Sequence, residues 1–225
     1  MAVRPRLFTY TIPIDDGAAP NPFRSMMSLA ICKPDIRRAA REGDWVAGLG
    51  SKDAPSGDLS GRIVYAMRVE EILSLRGYDL NAATRWPHRI PNVNSGDLSE
   101  RLGDCIYDYS GGRTPIQRPG VHGPKDVETD LSGGNVLISR DFYYLGTNAI
   151  RLPDHLLPIC HQTQGHKSNL NDSYVDAFVA WIRGLGLRAG QMYGWPDYIV
   201  NWGAAAPCGG LSHSRSDVEK QEQSC

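Results

Sequence analysis

The sequence predicts an α+β domain built on a mixed curved sheet or a small β-barrel, with short helices and one amphipathic helix near its C-terminal end. Short segments rich in β-branched and aromatic residues alternate with short helical patterns. The spacing of these segments lacks the regular repeat of βαβ units, and the longest helical pattern covers residues 174–185. Together these observations favour a mixed sheet and helices around one core.

The first part of the chain is predicted to contain three strands and one short helix. Residues 7–14 (LFTYTIPI) are β-branched and aromatic and roughly alternate in polarity, which predicts a strand that ends near Pro13. Pro34 suits the first position of a helix because its missing amide hydrogen is not needed there, and Gly43 is predicted to close that helix. Residues 45–49 and 62–69 (RIVYAMRV) are the next predicted strands.

The second part of the chain combines clear patterns with a long region that has none. Residues 70–80 (EEILSLRGYDL) show the apolar spacing of a helix. Residues 81–134 are rich in Gly, Pro, Asp and Arg, and because so long a loop is unusual in a compact domain, we expect it to contain the site or short strands. Residues 135–139 and 142–145 are predicted strands, and the helix at 174–185 follows polar side chains suited to capping it.

Composition sets the domain organisation and excludes some partners. With 225 residues, 41% of them hydrophobic, the chain is expected to form one domain over residues 1–202, followed by a polar, disordered tail at 203–225. A formal net charge of −1 does not indicate tight, sequence-independent binding to duplex DNA. The five cysteines form no CxxC pair, and no signal-peptide or membrane-span pattern is present, so we expect a cytoplasmic protein.

Asp15 and Asp16 are the first candidate for chemistry. They follow the first predicted strand, in a loop that Pro20 and Pro22 stiffen. Two carboxylates this close repel each other, so one of them can retain a proton and serve as an acid, a base or an acceptor for a sugar hydroxyl. The simpler interpretation is an ordinary Asp-Asp-Gly turn.

Cys32, Lys33 and Pro34 lie where the first helix is predicted to begin. Unpaired backbone amides at a helix start favour an anion, so Lys33 is a candidate phosphate ligand, with Arg37 one turn later on the same face. The same position can activate Cys32 as a thiolate. We rank phosphate binding above a nucleophilic cysteine, since cysteine is more often a small buried residue.

The remaining candidates lie in two similar Gly-Asp motifs and two polar loops. Asp44 could bind base-edge donors beside the ring of Trp45, although a helix end and a core tryptophan explain both residues. Asp104 repeats the Gly-Asp pattern, and Asp130 could hold a ribose hydroxyl.

His166 is a candidate for proton transfer, and the neighbouring Lys167 is a candidate for phosphate binding. A metal site built from His166, Cys160 and His161 lacks a fourth ligand and is rejected, and the sequence indicates no particular cofactor.

These motifs together resemble the second type of nucleotide-modification-associated domain, a family of phage and bacterial DNA-modification gene neighbourhoods. The resemblance covers residues 7 to about 185. The matching positions are Asp15, Gly17, Ala19-Pro20-Asn21-Pro22-Phe23, Leu29-Ala30, Cys32-Lys33-Pro34, Ile36-Arg37, Gly43-Asp44-Trp45, Gly48, Ser51, Arg101, Gly103-Asp104, Ile106-Tyr107, Asp130, Ser132-Gly133, Val136-Leu137-Ile138-Ser139, Phe142, Tyr144, Gly146 and Gly165-His166-Lys167-Ser168. The order of the first elements is also similar to the entry of PUA-like barrels.

The resemblance implies a role in forming, altering or recognising modified nucleobases. The first hypothesis is an enzyme of base or nucleotide hypermodification, the second is a non-catalytic reader of modified bases with a PUA-like pocket, and the third is a scaffold subunit beside other DNA-modification proteins. The expected ligand is a nucleotide or a modified base, free or within DNA. For the enzyme, we expect phosphate contacts from Lys33, Arg37 and Lys167, acid, base or proton-transfer roles for Asp15, Asp44, Asp104 and His166, base stacking by Trp45, Tyr107 and Tyr144, and further substrate contacts from Asn21, Cys32, Asp130 and Ser139.

Overall fold

The computed structural model describes residues 4–160, 166–167 and 169–198 as a mixed α+β fold. The strands are β1 (Leu7–Ile12), β2 (Met27–Leu29), β3 (Trp45–Gly50), β4 (Arg62–Arg68), β5 (Glu71–Ser74), β6 (Tyr107–Asp108), β7 (Ile116–Gln117), β8 (Asn135–Ser139), β9 (Phe142–Tyr144), β10 (Ile150–Arg151), β11 (His166–Lys167) and β12 (Gln191–Met192). The helices are α1 (Pro34–Ala39), α2 (Leu75–Arg85), α3 (Leu98–Arg101), α4 (Val127–Ser132) and α5 (Val175–Gly184).

The strands form one large and two small sheets. The large sheet has the order β11-β1-β3-β4-β9-β12, and β10 also pairs with β4. Its β1–β3 and β9–β12 pairs are parallel and its other pairs are antiparallel. An antiparallel sheet of order β2-β8-β5 and a β6–β7 pair complete the set. No closed barrel occurs among the described residues, so the mixed-sheet form of the prediction is confirmed.

The two larger sheets and their helices stack in layers. Side chains from β1, β3 and β4 meet those of β2 and β8 in a core between the two sheets. Alternation along β3 sends Val46 to that core and Trp45 and Ala47 to the opposite face, where they pack against Phe178 and Ile182 of α5. Helix α2 and residues 102–121 cover the outer face of the small sheet formed by β2, β8 and β5.

The helical prediction for residues 70–80 is wrong in its first half. Residues 71–74 form β5, which pairs with β8, and the helix begins only at Leu75 with Ser74 as its N-cap. The apolar spacing of Ile72 and Leu75 fits a helix, but strand pairing determines the conformation of residue 72. Helix α1 also ends at Ala39, before the predicted stop at Gly43.

The region without a clear pattern, residues 81–134, holds the end of α2 together with α3, β6, β7 and α4. Apart from α2, these elements are two to six residues long, which is too short to show a periodic pattern of apolar residues. None of the helices in the described ranges is long and apolar enough to cross a membrane. The predicted tail at 203–225 lies outside the described residues.

Candidate functional site

Cys32 and Lys33 form a strained backbone bend between β2 and α1. Both residues have left-handed backbone angles, with φ of 58° at Cys32 and 41° at Lys33, a conformation that non-glycine residues rarely adopt. The bend is held from both sides, because the Cys32 amide donates to Oδ1 of Asp130 at 2.8 Å and Nε of Arg37 donates to the Cys32 carbonyl at 2.7 Å. Strain maintained in this way is typical of functional sites.

The Cys32 thiol is the first member of a hydrogen-bonded chain of three side chains. Its Sγ lies 3.3 Å from Nε2 of His122, and Nδ1 of His122 lies 2.6 Å from Oδ2 of Asp130. The Tyr107 hydroxyl donates to the same Oδ2 at 2.9 Å. A nucleophile, a base and a group that orients the base therefore stand in the order that nucleophilic catalysis requires.

Local structure explains how His122 reaches Cys32. His122 lies in a Gly- and Pro-rich loop after β7, and the Gln117 side-chain amide donates to the carbonyls of His122 and Gly123 at 3.1 and 3.0 Å. Asp130 is fully buried on α4. The imidazole is 11% exposed, so it is largely shielded from water.

Arg37 forms a rigid support behind the bend. It is fully buried, and its guanidinium donates to the carbonyls of Cys32, Asp130 and Asn135. Gly133 leaves room for that group, because a Cβ there would lie 2.3 Å from the guanidinium carbon. Arg37 was predicted as a phosphate ligand, but these bonds make it a structural clamp.

The charges of this cluster favour a protonated imidazole. Burial lowers the pKa of His122, but its hydrogen bonds to Asp130 and Cys32, with the charges of both, outweigh burial and raise it to about 11. His122 is therefore expected to carry a positive charge at neutral pH beside the sulfur. A cation at this distance stabilises a thiolate and can donate a proton to a leaving group.

A second polar cluster surrounds Asp15. Oδ2 of Asp15 accepts a hydrogen bond from the buried Tyr144 hydroxyl at 2.7 Å. Burial and the nearby Asp16 raise the pKa of Asp15 to about 7, against the hydrogen bond from Tyr144, which lowers it. A carboxyl group that titrates near neutrality is suited to act as an acid or a base.

Tyr10 connects the two clusters. The Lys33 ammonium lies 4.5 Å from the centre of the Tyr10 ring, and the Tyr65 hydroxyl donates to the Tyr10 hydroxyl at 2.9 Å. Burial and Tyr65 raise the pKa of Tyr10, and the charges of Cys32 and Asp15 both raise it further, which places Tyr10 near each of them.

The pairing of β1 with β11 brings two further predicted residues near this position. The register places His166 opposite Tyr10 and Lys167 opposite Thr9. The side chains of His166 and Lys167 lie outside the described part of the chain, as does Ser168.

Asp104 and Asn21 belong to a buried network away from Cys32. Oδ1 and Oδ2 of Asp104 accept from the hydroxyls of Tyr78 and Ser28 at 2.7 and 2.6 Å, and the buried Arg89 lies 3.9 Å from Oδ1. The Asn21 side chain contacts Arg89 and the Leu102 carbonyl. These contacts fix the interior and expose no group to a ligand.

Asp44 and Trp45 are also held in structural contacts. Asp44 accepts from the Arg6 amide and guanidinium and from the Arg41 amide. Trp45 is 2% exposed and packs edge-on against Phe178.

Ser139 is buried opposite Met27 in the small sheet. The structure therefore brings together Cys32, Lys33, Arg37, Tyr107 and Asp130, with Asp15 and Tyr144 nearby, and leaves Asp44, Trp45, Asp104, Asn21 and Ser139 elsewhere.

A groove of about 930 Å³ lies between the N-terminal segment, the turn after α1 and helix α5. Four arginines contribute to its lining, and Cys32, His122 and Asp130 do not. Within the described ranges, no group of three or more His, Cys, Asp or Glu residues is placed to hold a metal ion.

His122 is the member of this cluster that sequence reasoning missed. It lies 90 positions from Cys32 in a loop without periodicity, and no local motif joins the two. The available signal was a cysteine at a helix start together with one of six histidines elsewhere in the chain, a pairing that only the fold can select.

Asp15→Asn is expected to stabilise the protein at pH 8 by about 1–3 kcal/mol relative to its effect at pH 4.5. Asp15 binds its proton more tightly in the folded state, with a pKa of about 7 against an ordinary 3.8, so folding loses stability as pH rises from about 4 to 7. Asparagine removes that loss because it stays neutral. Urea unfolding at both pH values measures the difference, and Asp154→Asn, whose side chain is 89% exposed, is the control. An equal effect of Asp15→Asn at both pH values would contradict the expectation.

Comparison with known protein families gives one match. A family model described as nucleotide modification associated domain 2 matches residues 4–202, nearly the whole described chain. No curated protein and no solved structure matches this chain.

Proposed function

Because the chain belongs to the nucleotide modification associated domain 2 family, we propose that it is an enzyme that modifies a nucleotide through a covalent intermediate on Cys32. The observation that carries the proposal is the chain from the Cys32 sulfur through His122 to Asp130, on a strained bend. Family membership supports a nucleotide as the substrate, and this geometry supports nucleophilic catalysis.

A protonated His122 beside the sulfur favours attack on a trigonal carbon that bears a nitrogen or oxygen leaving group. The Cys32 thiolate attacks that carbon and forms a C–S bond, and the imidazolium of His122 passes its Nε2 proton to the departing group as the old bond breaks. Neutral His122 then accepts a proton from water or from an acceptor amine, which displaces the sulfur. Asp130 holds the ring in position during both steps.

An acid 3.3 Å from the sulfur reaches an atom bonded to the attacked carbon. In the step above, that atom is the departing nitrogen or oxygen. Amide, ester and amidine carbons of a nucleotide or of its modifying group therefore fit the site best.

The enzyme hypothesis is favoured over the reader hypothesis by the burial of the expected stacking rings. Trp45, Tyr107 and Tyr144 are all buried, and the Tyr107 and Tyr144 hydroxyls bind carboxylates within the protein. A reader needs an exposed aromatic face on which the base can stack. Free nucleotides and nucleotides within DNA are both candidate substrates, and other modification proteins are candidate partners.

Cys32→Ser is expected to abolish nucleotide modification while leaving the fold intact. Bacteria expressing the wild-type protein or the variant are compared by mass spectrometry of their free nucleotides and of nucleosides from digested DNA. A nucleoside or nucleotide that depends on the wild-type protein should be absent with Cys32→Ser and present with the matched control Cys160→Ser. If Cys32→Ser gives the same products as the wild type, the catalytic proposal fails and a reader or scaffold role replaces it.

A further inference from the structure

We infer that the Lys33 ammonium binds a phosphate group of the substrate on which Cys32 acts. This inference rests on the proposed function of Cys32 and specifies the ligand of the same site. Lys33 follows Cys32 directly in the strained bend, and its ammonium lies over the Tyr10 ring at 4.5 Å. The ammonium is thus held against the Tyr10 ring, and the charge of Cys32 acts on it.

Lys33 differs from the other cations of the site in its partners. Arg37 donates to three backbone carbonyls, and both ring nitrogens of His122 contact Cys32 and Asp130. Among the residues that the structure describes, no carboxylate lies within ion-pair distance of Lys33. Its ammonium contacts the face of the Tyr10 ring, and none of its N–H donors is paired with a carboxylate of the described residues.

The surroundings of Lys33 favour an anionic ligand. Burial lowers the pKa of Lys33, and Cys32 opposes that change only in part. A half-buried ammonium in this state gains most from an anionic ligand.

Phosphate is the anionic group common to the nucleotides that the proposed function takes as substrates. Lysine binds phosphate as a compact point charge. The phosphate of a free mononucleotide and a phosphodiester of a polynucleotide share this chemistry. Neutral nucleosides and bases lack it.

Alkylation of Cys32 by two reagents tests Lys33 without a known substrate. Iodoacetamide is neutral and iodoacetate is an anion of nearly the same size, so the ratio of their rates measures attraction of an anion to the site. We expect Lys33→Met to lower the iodoacetate-to-iodoacetamide ratio about 5- to 20-fold, as the loss of one nearby charge predicts. Lys33→Arg should keep the wild-type ratio, and the exposed Lys52→Met is the matched control.

The two reagents separate failure of this inference from failure of the proposed function. Slow iodoacetamide labelling of the wild-type Cys32 peptide, no faster than that of Cys160, overturns the nucleophile itself. Fast labelling with an equal reagent ratio in wild type and Lys33→Met overturns only the role of Lys33. Circular dichroism verifies the fold, and Lys33→Gln provides a second neutral variant if the methionine protein is unfolded.

Protection from iodoacetamide then identifies the source of the phosphate. The probes are a mixture of 5′-mononucleotides, a single-stranded oligonucleotide and the corresponding nucleosides. Protection by mononucleotides or by the oligonucleotide, weakened at least about 5-fold in Lys33→Met, supports the inference and tells the two sources apart. Equal protection by nucleosides, or protection by none of the probes, overturns it.

Discussion

His122→Gln is expected to lower the rate of Cys32 alkylation by iodoacetamide at pH 7 by about 10- to 100-fold. The raised pKa of His122, about 11, keeps a positive charge 3.3 Å from the sulfur throughout the neutral range. Glutamine retains a hydrogen-bonding side chain but cannot carry that charge. The rate is measured by mass spectrometry of the peptide that contains Cys32, which separates it from the other four cysteines.

A matched variant distinguishes loss of the His122 charge from a general effect of losing a histidine. His155→Gln, at an exposed histidine, should label Cys32 at the wild-type rate. Because the pKa of His122 is raised to about 11, the difference between the wild type and His122→Gln should persist at pH 6, 7 and 8. Equal labelling rates for the wild type and His122→Gln would contradict an effect of the imidazolium on the sulfur.

Arg89→Met is expected to destabilise the protein by about 3–5 kcal/mol, enough to unfold a domain of ordinary stability. Arg89 is fully buried and donates to the carbonyls of Phe23 and Met26 and to Oγ of Ser28. It is also the nearby cation for the buried Asp104. Methionine keeps the apolar length of the side chain but leaves these acceptors and the carboxylate uncompensated. Chemical denaturation, or the yield of folded protein, measures the loss.

A double variant shows whether Asp104 accounts for part of this cost. Burial raises the pKa of Asp104 and Arg89 lowers it, so Arg89→Met leaves a carboxylate that is costly to ionise. Asp104→Asn in the Arg89→Met background should recover about 1–2 kcal/mol, and more at high pH than at low pH. Arg76→Met, at an exposed position on α2, is the matched control and should cost less than about 0.5 kcal/mol. Equal costs for Arg89→Met and Arg76→Met would refute the buried-network argument.

Sequence patterns predicted those parts of the fold that local periodicity determines. Strands β1, β3, β4, β8 and β9 and helix α5 agree with the predictions within a few residues, because their apolar faces repeat with the period of their own secondary structure. Residue 72 is the contrasting case. Its apolar spacing indicates a helix, whereas its conformation follows from pairing with Leu137 across the small sheet.

Most residues of the candidate site could be predicted from the sequence, but their contacts could not. Cys32, Lys33, Tyr107 and Asp130 were each selected, yet Asp130 was expected to bind ribose and Tyr107 to stack on a base. In the structure Asp130 contacts the imidazole of His122, which no local pattern indicated, and the Tyr107 hydroxyl donates to the same Asp130 oxygen. Such roles depend on which distant loops meet, and this information lies in tertiary packing.

The two Gly-Asp motifs show a different difficulty. Asp44 and Asp104 were selected as site residues, but in the structure the Asp44 carboxylate binds Arg6 and the Asp104 carboxylate binds Tyr78 and Ser28. A carboxylate that anchors an interior and one that performs chemistry look alike in a sequence. Only their partners separate them.

The two oxygens of the Asp130 carboxylate position two different groups of the candidate site. Oδ1 fixes the bent peptide that carries the sulfur, and Oδ2 aligns the ring that would protonate the leaving group. Both members of the reacting pair therefore share one of their anchors, the Asp130 carboxylate on α4. A displacement of that helix would move the sulfur and the ring together.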